Sequence, residues 1–381
     1  MSRVLVVNAG SSSLKYQLRE HGDGAAEVLA RGSVERIGSS DVPDHAAALA
    51  QVMAALEPSG GGPGLSGLAG VGHRVVQGGT RYTHPTVVDD DVERGIDELS
   101  ALAPLHNPPQ LAAIRALRTA LPDVPQVAVF DTAFHATIPA RAATYAVDAD
   151  VARRYGLRKY GFHGTSVQVV TRRAAAFLAV PVEEADLVVA HVGNGVSVTA
   201  VRGGRSVDTT MGLTPLAGSA MGTRSGDVDP AIVMTLVREA GMTAAEVDDL
   251  LNKRSGLQGL AGESDVRSVQ ARADAGDEAA RAALEVYCYR LSAAVGSFLA
   301  LVPRVQAVVF TAGVGENAAA VRAAVCAPLE HLGFGVDSAL NDAAQTSRSP
   351  AEPVRIGEKV LVVPTDEEAE IADQVLAVVA R

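Results

Sequence analysis

Two stretches, "RVLVVNAGSSSLKYQL" (residues 3–18) and "DLVVAHVGNGVSVTAV" (residues 186–201), follow one plan. Each is an apolar strand, a turn built from Gly, Ser or Asn, and a returning strand of alternating character. Two hairpins of the same build, so far apart in the chain, predict two lobes of similar construction. Such a turn presents backbone N–H groups, and the missing side chains let an anion approach closely. One glycine turn carries little weight, because most merely reverse the chain. A third, "TAGVGEN" at 311–317, also follows an apolar strand, and together the three favour a phosphate-binding role.

Outward from these hairpins, short β-rich runs alternate with alanine-rich helical stretches. Strands are expected near 69–76, 126–131, 307–313 and 359–364, and helices near 108–121, 167–179, 230–241 and 277–302. The alternation predicts an α/β protein. The glycine-rich segment 56–70 reads as a surface loop.

At 381 residues the chain has room for two domains on a prior of about 150 residues each. The charge balance, 33 − 44 = −11, argues against a broad basic surface, so neither nucleic acid nor a membrane is an expected partner. Cys288 and Cys326 are far apart and show no metal-ligand spacing, which suits buried free thiols in a reducing compartment. The N-terminal stretch runs straight into a strand, and no apolar segment approaches the ~20 residues of a membrane span. The expected location is the cytoplasm.

No G-x-x-x-x-G-K-[ST] motif occurs, and no G-x-G-x-x-G follows a strand with an acidic residue at the right distance. A phosphate site would therefore be assembled from polar residues at strand ends. Asn8 ends the first strand and Lys15 stands on the returning one. Arg74 closes another apolar run and has no acidic residue within fourteen positions on either side. Asp131 follows a strand, His163 sits among aromatic residues and glycines, and Arg224 lies in the glycine-hinged "GLTPLAGSAMGTRSGDVDP" (212–230). Asp366, Glu367 and Glu368 follow the last strand. Singly, each has a plain structural explanation: a polar hairpin, a distant ion pair, a packed histidine, an acidic first helical turn. Collectively they form the inventory that phosphoryl transfer needs, cations and N–H donors for oxygen charge and carboxylates for a metal.

The motifs "NAGSSSLK", "HRVVQGG", "PLHNP", "FDTAFH", "YGFHGTS", "HVGNG", "MGTRSGDVDP", "TAGVGEN" and "PTDEE" occur in the order found in acetate kinases, and the resemblance covers residues 4 to about 372. It implies two ribonuclease-H-like lobes of the actin-like ATPase duplication around a central cleft. The first lobe would comprise 1–134 plus 369–381, and the nucleotide-binding lobe 135–368. It also implies a homodimer, ATP/ADP as co-substrate, and Mg²⁺ with Mn²⁺ as the alternative ion. Carried over by motif, Asn8 and Glu367 would serve the metal, and Lys15 the nucleotide phosphates. Arg74 would take the substrate carboxylate, Asp131 would position the reacting oxygen and metal, and His163 and Arg224 would stabilise the phosphoryl group in transfer. The nucleotide would lie against His191, Val192, Gly193, Asn194 and Gly195, against Asp265, Val266 and Arg267, and against Gly313, Val314, Gly315, Glu316 and Asn317. Val76, Leu105, Phe162 and Pro215 would line the acyl pocket.

The chain departs from the usual pattern at Gln77, in the small-residue run Ala217–Ala220, and at Glu263. The implied reaction is direct in-line transfer between ATP and acetate, reversibly giving acetyl phosphate and ADP. Propionate or butyrate as acceptor, pyrophosphate as donor, or a nucleotide-driven binding protein on the actin or chaperone scaffold are the alternatives.

Overall fold

The computed structural model describes residues 1–22, 26–344 and 352–380. It divides into two compact units, Met1–Ala136 with Asp366–Arg381 (unit 1) and Thr137–Thr365 (unit 2). Asp366, Glu367 and Glu368, expected in the second lobe, belong to unit 1. The reason is local: Asp366 caps the helix Glu367–Val379, which packs on the first sheet.

Unit 1 contains strands β1 (Ser2–Ala9), β2 (Ser13–His21), β3 (Glu27–Glu35), β4 (Leu68–Val75), β5 (Thr86–Val87) and β6 (Gln126–Phe130). Their order is β3-β2-β1-β4-β6-β5. The hairpin β1–β2 and the β2–β3 pair are antiparallel, whereas β1, β4 and β6 run parallel. Unit 2 repeats this with β7 (Leu187–Val192), β8 (Val196–Arg202), β9 (Arg205–Thr209), β10 (Ala307–Thr311), β11 (Val354–Gly357) and β12 (Val360–Val362), ordered β11-β12-β10-β7-β8-β9. Thus β7, β8 and β9 match β1, β2 and β3, while β10 and β12 match β4 and β6. The two quoted hairpins are the same element of a duplicated sheet.

Strand alternation divides the two faces of the first sheet. Leu5 and Val7 of β1 face the helices His45–Leu56 and Asn107–Ala120, in a core with Leu14, Leu18 and Leu117. Val4 and Val6, with Val127 and Val129, face Ile371, Ala372 and Val375 of the C-terminal helix. That helix lies very close because β4 offers no side chain there. A Cβ on Gly72 would stand 2.5 Å from Ile371 Cγ2, and one on Gly70 2.7 Å from Val375 Cγ1. In unit 2, β7 and β10 are buried at every position, as parallel strands covered on both faces should be.

"TAGVGEN" is not a plain turn: β10 ends at Thr311 and residues Ala312–Asn317 form a short helix. The segment 56–70 is more ordered than expected, holding a 3₁₀ turn (Pro58–Gly60) and the start of β4. Cys288 and Cys326 are buried free thiols, with pKa values pushed up by burial to about 11 and about 12. Among the described residues no helix is long and apolar enough to cross a membrane.

Candidate active site

In unit 1, the carboxyl ends of parallel β1, β4 and β6 form one sheet edge, where ligands of open α/β sheets collect. Asn8 shares the face of Val4 and Val6, and Arg74 that of Gly70 and Gly72. Asp131 follows β6 on the face of Val127 and Val129. The helix on this face begins with Glu367. Sequence positions spanning most of the chain thus converge at one corner of unit 1.

Side-chain contacts tie three of these residues, Arg74, Asp131 and Glu367, together. Arg74 Nε donates to Asp131 Oδ1 at 3.1 Å and Nη2 to Asp131 Oδ2 at 2.6 Å, while Glu367 Oε2 stands 3.4 Å from Nε. Arg74 therefore has the distant carboxylate partner its sequence context demanded. A guanidinium carries five N–H donors, and two go to Asp131. Among the described residues no carboxylate takes the Nη1/Nη2 edge, which leaves it available for a second, flat anion. Burial works against the arginine's charge, but Asp131 and Glu367 outweigh it and hold its pKa above the ordinary value.

Burial pushes the Glu367 carboxyl up to about 7, with Arg74 opposing and Asp131 and Glu368 adding to the rise. One cation thus faces three carboxylates. Among the described residues no group of three His, Cys, Asp or Glu side chains is gathered to cage a metal. Hard oxygen donors in small number suit Mg²⁺, which keeps waters and shares substrate phosphates. Asn8 pairs in register with Lys15, whose side chain is exposed on the same face.

A stability consequence follows from Glu367. A glutamate carboxyl ordinarily titrates at 4.5 and this one, in the native state, at about 7, so the native state binds more protons between the two. Stability then falls as pH rises through that window. Glu367→Gln removes the effect. In metal-free buffer the variant's melting temperature should exceed the wild type's near pH 8 and converge with it near pH 4.5. Equal melting temperatures near pH 8 would show that the carboxyl is not strained.

The turn after β4 is held by side chains. The N–H of Val76 donates to Gln110 Oε1 (3.0 Å), that of Gln77 to Asn107 Oδ1 (3.1 Å), and that of Gly78 to Thr132 Oγ1 (3.0 Å). Gln77 is fully buried, and its Oε1 accepts from Gly79 N–H at 2.9 Å. Asn107, Gln110 and Thr132 escaped the sequence reading as supports, although Asn107 stands inside "PLHNP" and Thr132 inside "FDTAFH". Val76 is buried here, whereas Leu105 is 46% exposed.

In unit 2, His163 caps the helix Gly164–Phe177 with φ 60°, a left-handed conformation that non-glycine residues rarely adopt. Ala312, opening the 312–317 helix, has φ 66°. His163 Nδ1 lies 2.9 Å from Ser197 Oγ, and its ring stacks on His191 at 4.0 Å. His191 Nδ1 lies 2.8 Å from Ser166 Oγ. Ser166 and Ser197 were also missed; Ser166 lies in "YGFHGTS" and Ser197 in the alternating strand β8.

Arg224 Nη1 donates to the Pro215 carbonyl at 3.0 Å, and among the described residues its guanidinium has no carboxylate partner. The acidic residue three positions on, Asp227, instead accepts from Gly218 N–H at 2.8 Å and so ties down the Ala217–Ala220 run. Burial pulls the Arg224 pKa down. A Cβ on Gly195 would lie 3.2 Å from Arg224 Nη1 and 3.3 Å from His163 Nε2, so glycine is what lets these groups converge. Phe162, buried, adjoins His163 in the chain.

A cavity of about 710 Å³ in unit 2 is lined by Gly193, Asn194, Ser264, Asp265, Val266, Arg267, Gly313, Val314, Asn317 and Ala318. Three chain segments named from sequence thus share one pocket, with Ser264 and Ala318 as additions. His191, Val192, Gly195, Gly315 and Glu316 do not line it. Glu316 turns inward, accepting from Ala312 N–H (2.9 Å) and Thr365 N–H (3.0 Å), and burial raises its pKa. Glu263 turns back on its own chain, accepting from Ser264 and Asp265 N–H. Asp265 caps the helix Val266–Asp274 and pairs with Arg267 at 2.6 Å, which lowers its pKa to about 2. Lys15 belongs to unit 1, apart from this cavity's lining.

The repeated sheet order and these polar corners define the class: a duplicated α/β protein of the actin-like ATPase build. The family model described as the acetokinase family matches residues 38–373. A protein named acetate kinase from Streptomyces avermitilis is 50% identical, covering 99% of this chain and 98% of its own. An acetate kinase from Micrococcus luteus is 51% identical over 97% of each. Among solved structures, Porphyromonas gingivalis acetate kinase superposes with a TM-score of 0.91 at 37% identity, covering 99% of this chain and 100% of that one. A propionate kinase from Francisella tularensis gives 0.90 at 36% identity, covering 98% and 99%. The chain belongs to the acetokinase family.

Proposed function

We propose that the protein is an ATP:acetate phosphotransferase, reversibly making acetyl phosphate and ADP by direct in-line transfer. The observation that carries this reading is Arg224, a half-buried cation beside His163 with no carboxylate partner among the described residues. ATP or ADP occupies the unit 2 cavity. The acid's carboxylate takes the open edge of Arg74, whose plane Asp131 fixes. That carboxylate is already ionised at pH 7, so no general base is required. Asp131, engaged by Arg74, is a positioning group. His163 and Arg224 donate to the oxygens of the phosphoryl group as charge builds there. When bound with nucleotide, Mg²⁺ would draw charge from the phosphate oxygens; Glu367, Asp131 and Asn8 are the residues to hold it.

Val76 and Leu105 of unit 1, and Phe162 and Pro215 of unit 2, are the residues proposed to contact the acyl group. One methylene in an apolar pocket discriminates by only about 1–3 kcal/mol, so propionate should be a poorer substrate and not an excluded one. Initial rates with acetate, propionate and butyrate, each with ATP and with pyrophosphate, test the reading, with hydroxylamine trapping the acyl phosphate. Acetate with ATP should give the highest kcat/KM. ATP turnover that is independent of acid and yields no hydroxamate would return the chain to the chaperone-like alternative.

The cytoplasm is the proposed location, and a homodimer the proposed assembly. The helix Pro230–Arg238 supports the latter: it buries no residue and exposes Ile232, Met234 and Val237. Sedimentation velocity reporting only monomer at micromolar concentration would remove the dimer.

A further inference from the structure

Arg19 lies in β2 at 6% exposure, and no step above uses it. It pairs in register with Val4, so it faces the C-terminal helix. Its Nη1 stands 3.3 Å from Asp366 Oδ1 and 3.4 Å from Oδ2, and also donates to Gln17 Oε1 at 2.5 Å. Among the described residues its buried Nε has no hydrogen-bond partner. Asp366 is the N-cap of that helix, its Oδ1 accepting from Ala369 N–H at 2.8 Å. The next residue is Glu367, 3.4 Å from Arg74. Two residues further along β2, on the same face, His21 Nδ1 lies 3.7 Å from Asp373 Oδ1, two helical turns below the cap.

The apolar contacts with Gly70 and Gly72 set how near the helix lies to the sheet. Such contacts are non-directional and leave its slide and roll weakly determined. A charge-assisted hydrogen bond at the first turn is directional. A buried ion pair adds little net stability over apolar side chains of the same volume, so its main consequence here is geometric. We propose that Arg19 is a positioning residue, which through Asp366 sets where the Glu367 carboxylate stands against Arg74. The inference rests on Glu367 and Arg74 belonging to the acceptor site.

Arg19→Met fills similar volume without charge, and Asp366→Ser keeps an N-cap acceptor while removing the ion pair. Arg19→Met should melt within a few degrees of wild type yet lose about tenfold in kcat, the size of effect typical of groups that orient a ligand-holding carboxylate. KM for ATP should stay unchanged, because the nucleotide cavity belongs to unit 2. Arg19→Lys should recover most of the loss, which a role in packing alone would not produce. In the Asp366→Ser background Arg19→Met should cost nothing more, since both act through one contact. A crystal structure of Arg19→Met should show the Glu367 carboxylate displaced from Arg74.

Wild-type kcat in Arg19→Met overturns the proposal, and so does a full tenfold loss on top of Asp366→Ser. If Arg19→Met does not fold, Asp366→Ser alone decides: a soluble variant with wild-type kcat overturns it. Glu367→Gln run in parallel separates the two levels. If that variant is inactive while Arg19→Met is normal, only the positioning role falls. If Glu367→Gln is fully active, the acceptor-site reading falls with it.

Discussion

Arg224→Ala should lower kcat by about three orders of magnitude and leave the KM for ATP nearly unchanged, the signature of a group that acts on the transferring phosphoryl. The expectation comes from what Arg224 lacks. Its guanidinium meets a carbonyl and a methionine sulfur, and the nearest acidic residue in sequence is committed to Gly218. A cation in that position is underpaired among the described residues, and on the proposed reading phosphate oxygens complete its pairing. The same fact sets the sign of the stability change. Folding disfavours the charged form, so Arg224→Met should leave the melting temperature unchanged or raise it. Steady-state kinetics with thermal melts of both variants are the check, and a near-normal kcat would remove Arg224 from the reaction.

Much of this was legible in the sequence, for identifiable reasons. Strand positions β1, β4, β6, β7 and β10 are short buried runs, and their periodicity survives without tertiary context. The hairpin pairs announced the duplication because glycine turns leave fixed marks. Arg74 could be recognised as needing a distant partner, since none stood near it in the chain. That the partner would be Asp131 could not be read from spacing, because it depends on β4 and β6 being neighbours in parallel register. The helix from Ala312 was obscured by two glycines and by a left-handed residue at its start. Glu316 illustrates a further limit. Its motif suggested a ligand contact, whereas its carboxylate satisfies two backbone N–H groups, a task that only the folded path of 311–317 and Thr365 defines. Asp366 and Arg19 lie at opposite ends of the chain, and no local pattern links them.

Arg74 should behave in the opposite way to Arg224 in stability, and alike in activity. It compensates Asp131, which is 1% exposed, and Glu367, whose carboxyl is already strained. Arg74→Ala leaves those carboxylates buried without their cation, a change that costs roughly 3–5 kcal/mol, and the melting temperature should fall clearly. The same variant loses the open Nη edge, so kcat/KM for acetate should drop by roughly 30- to 5,000-fold, since truncating one side of a desolvated charge pair costs about 2–5 kcal/mol. Activity and folding must be separated, and Arg74→Lys does so. An ammonium can still neutralise Asp131, but it has no planar fork to grip a second carboxylate while holding the first. Arg74→Lys should therefore regain most of the melting temperature and little of kcat/KM for acetate, with nucleotide affinity unaffected throughout. Recovery of both quantities together would mean that Arg74 supplies charge alone, and the carboxylate would then have to be bound elsewhere. Loss of stability without loss of kcat/KM would reduce the pair to an internal strut. Only the split outcome, stability restored and acetate turnover still absent, fits a guanidinium held flat by Asp131 so that its other edge can receive the acid.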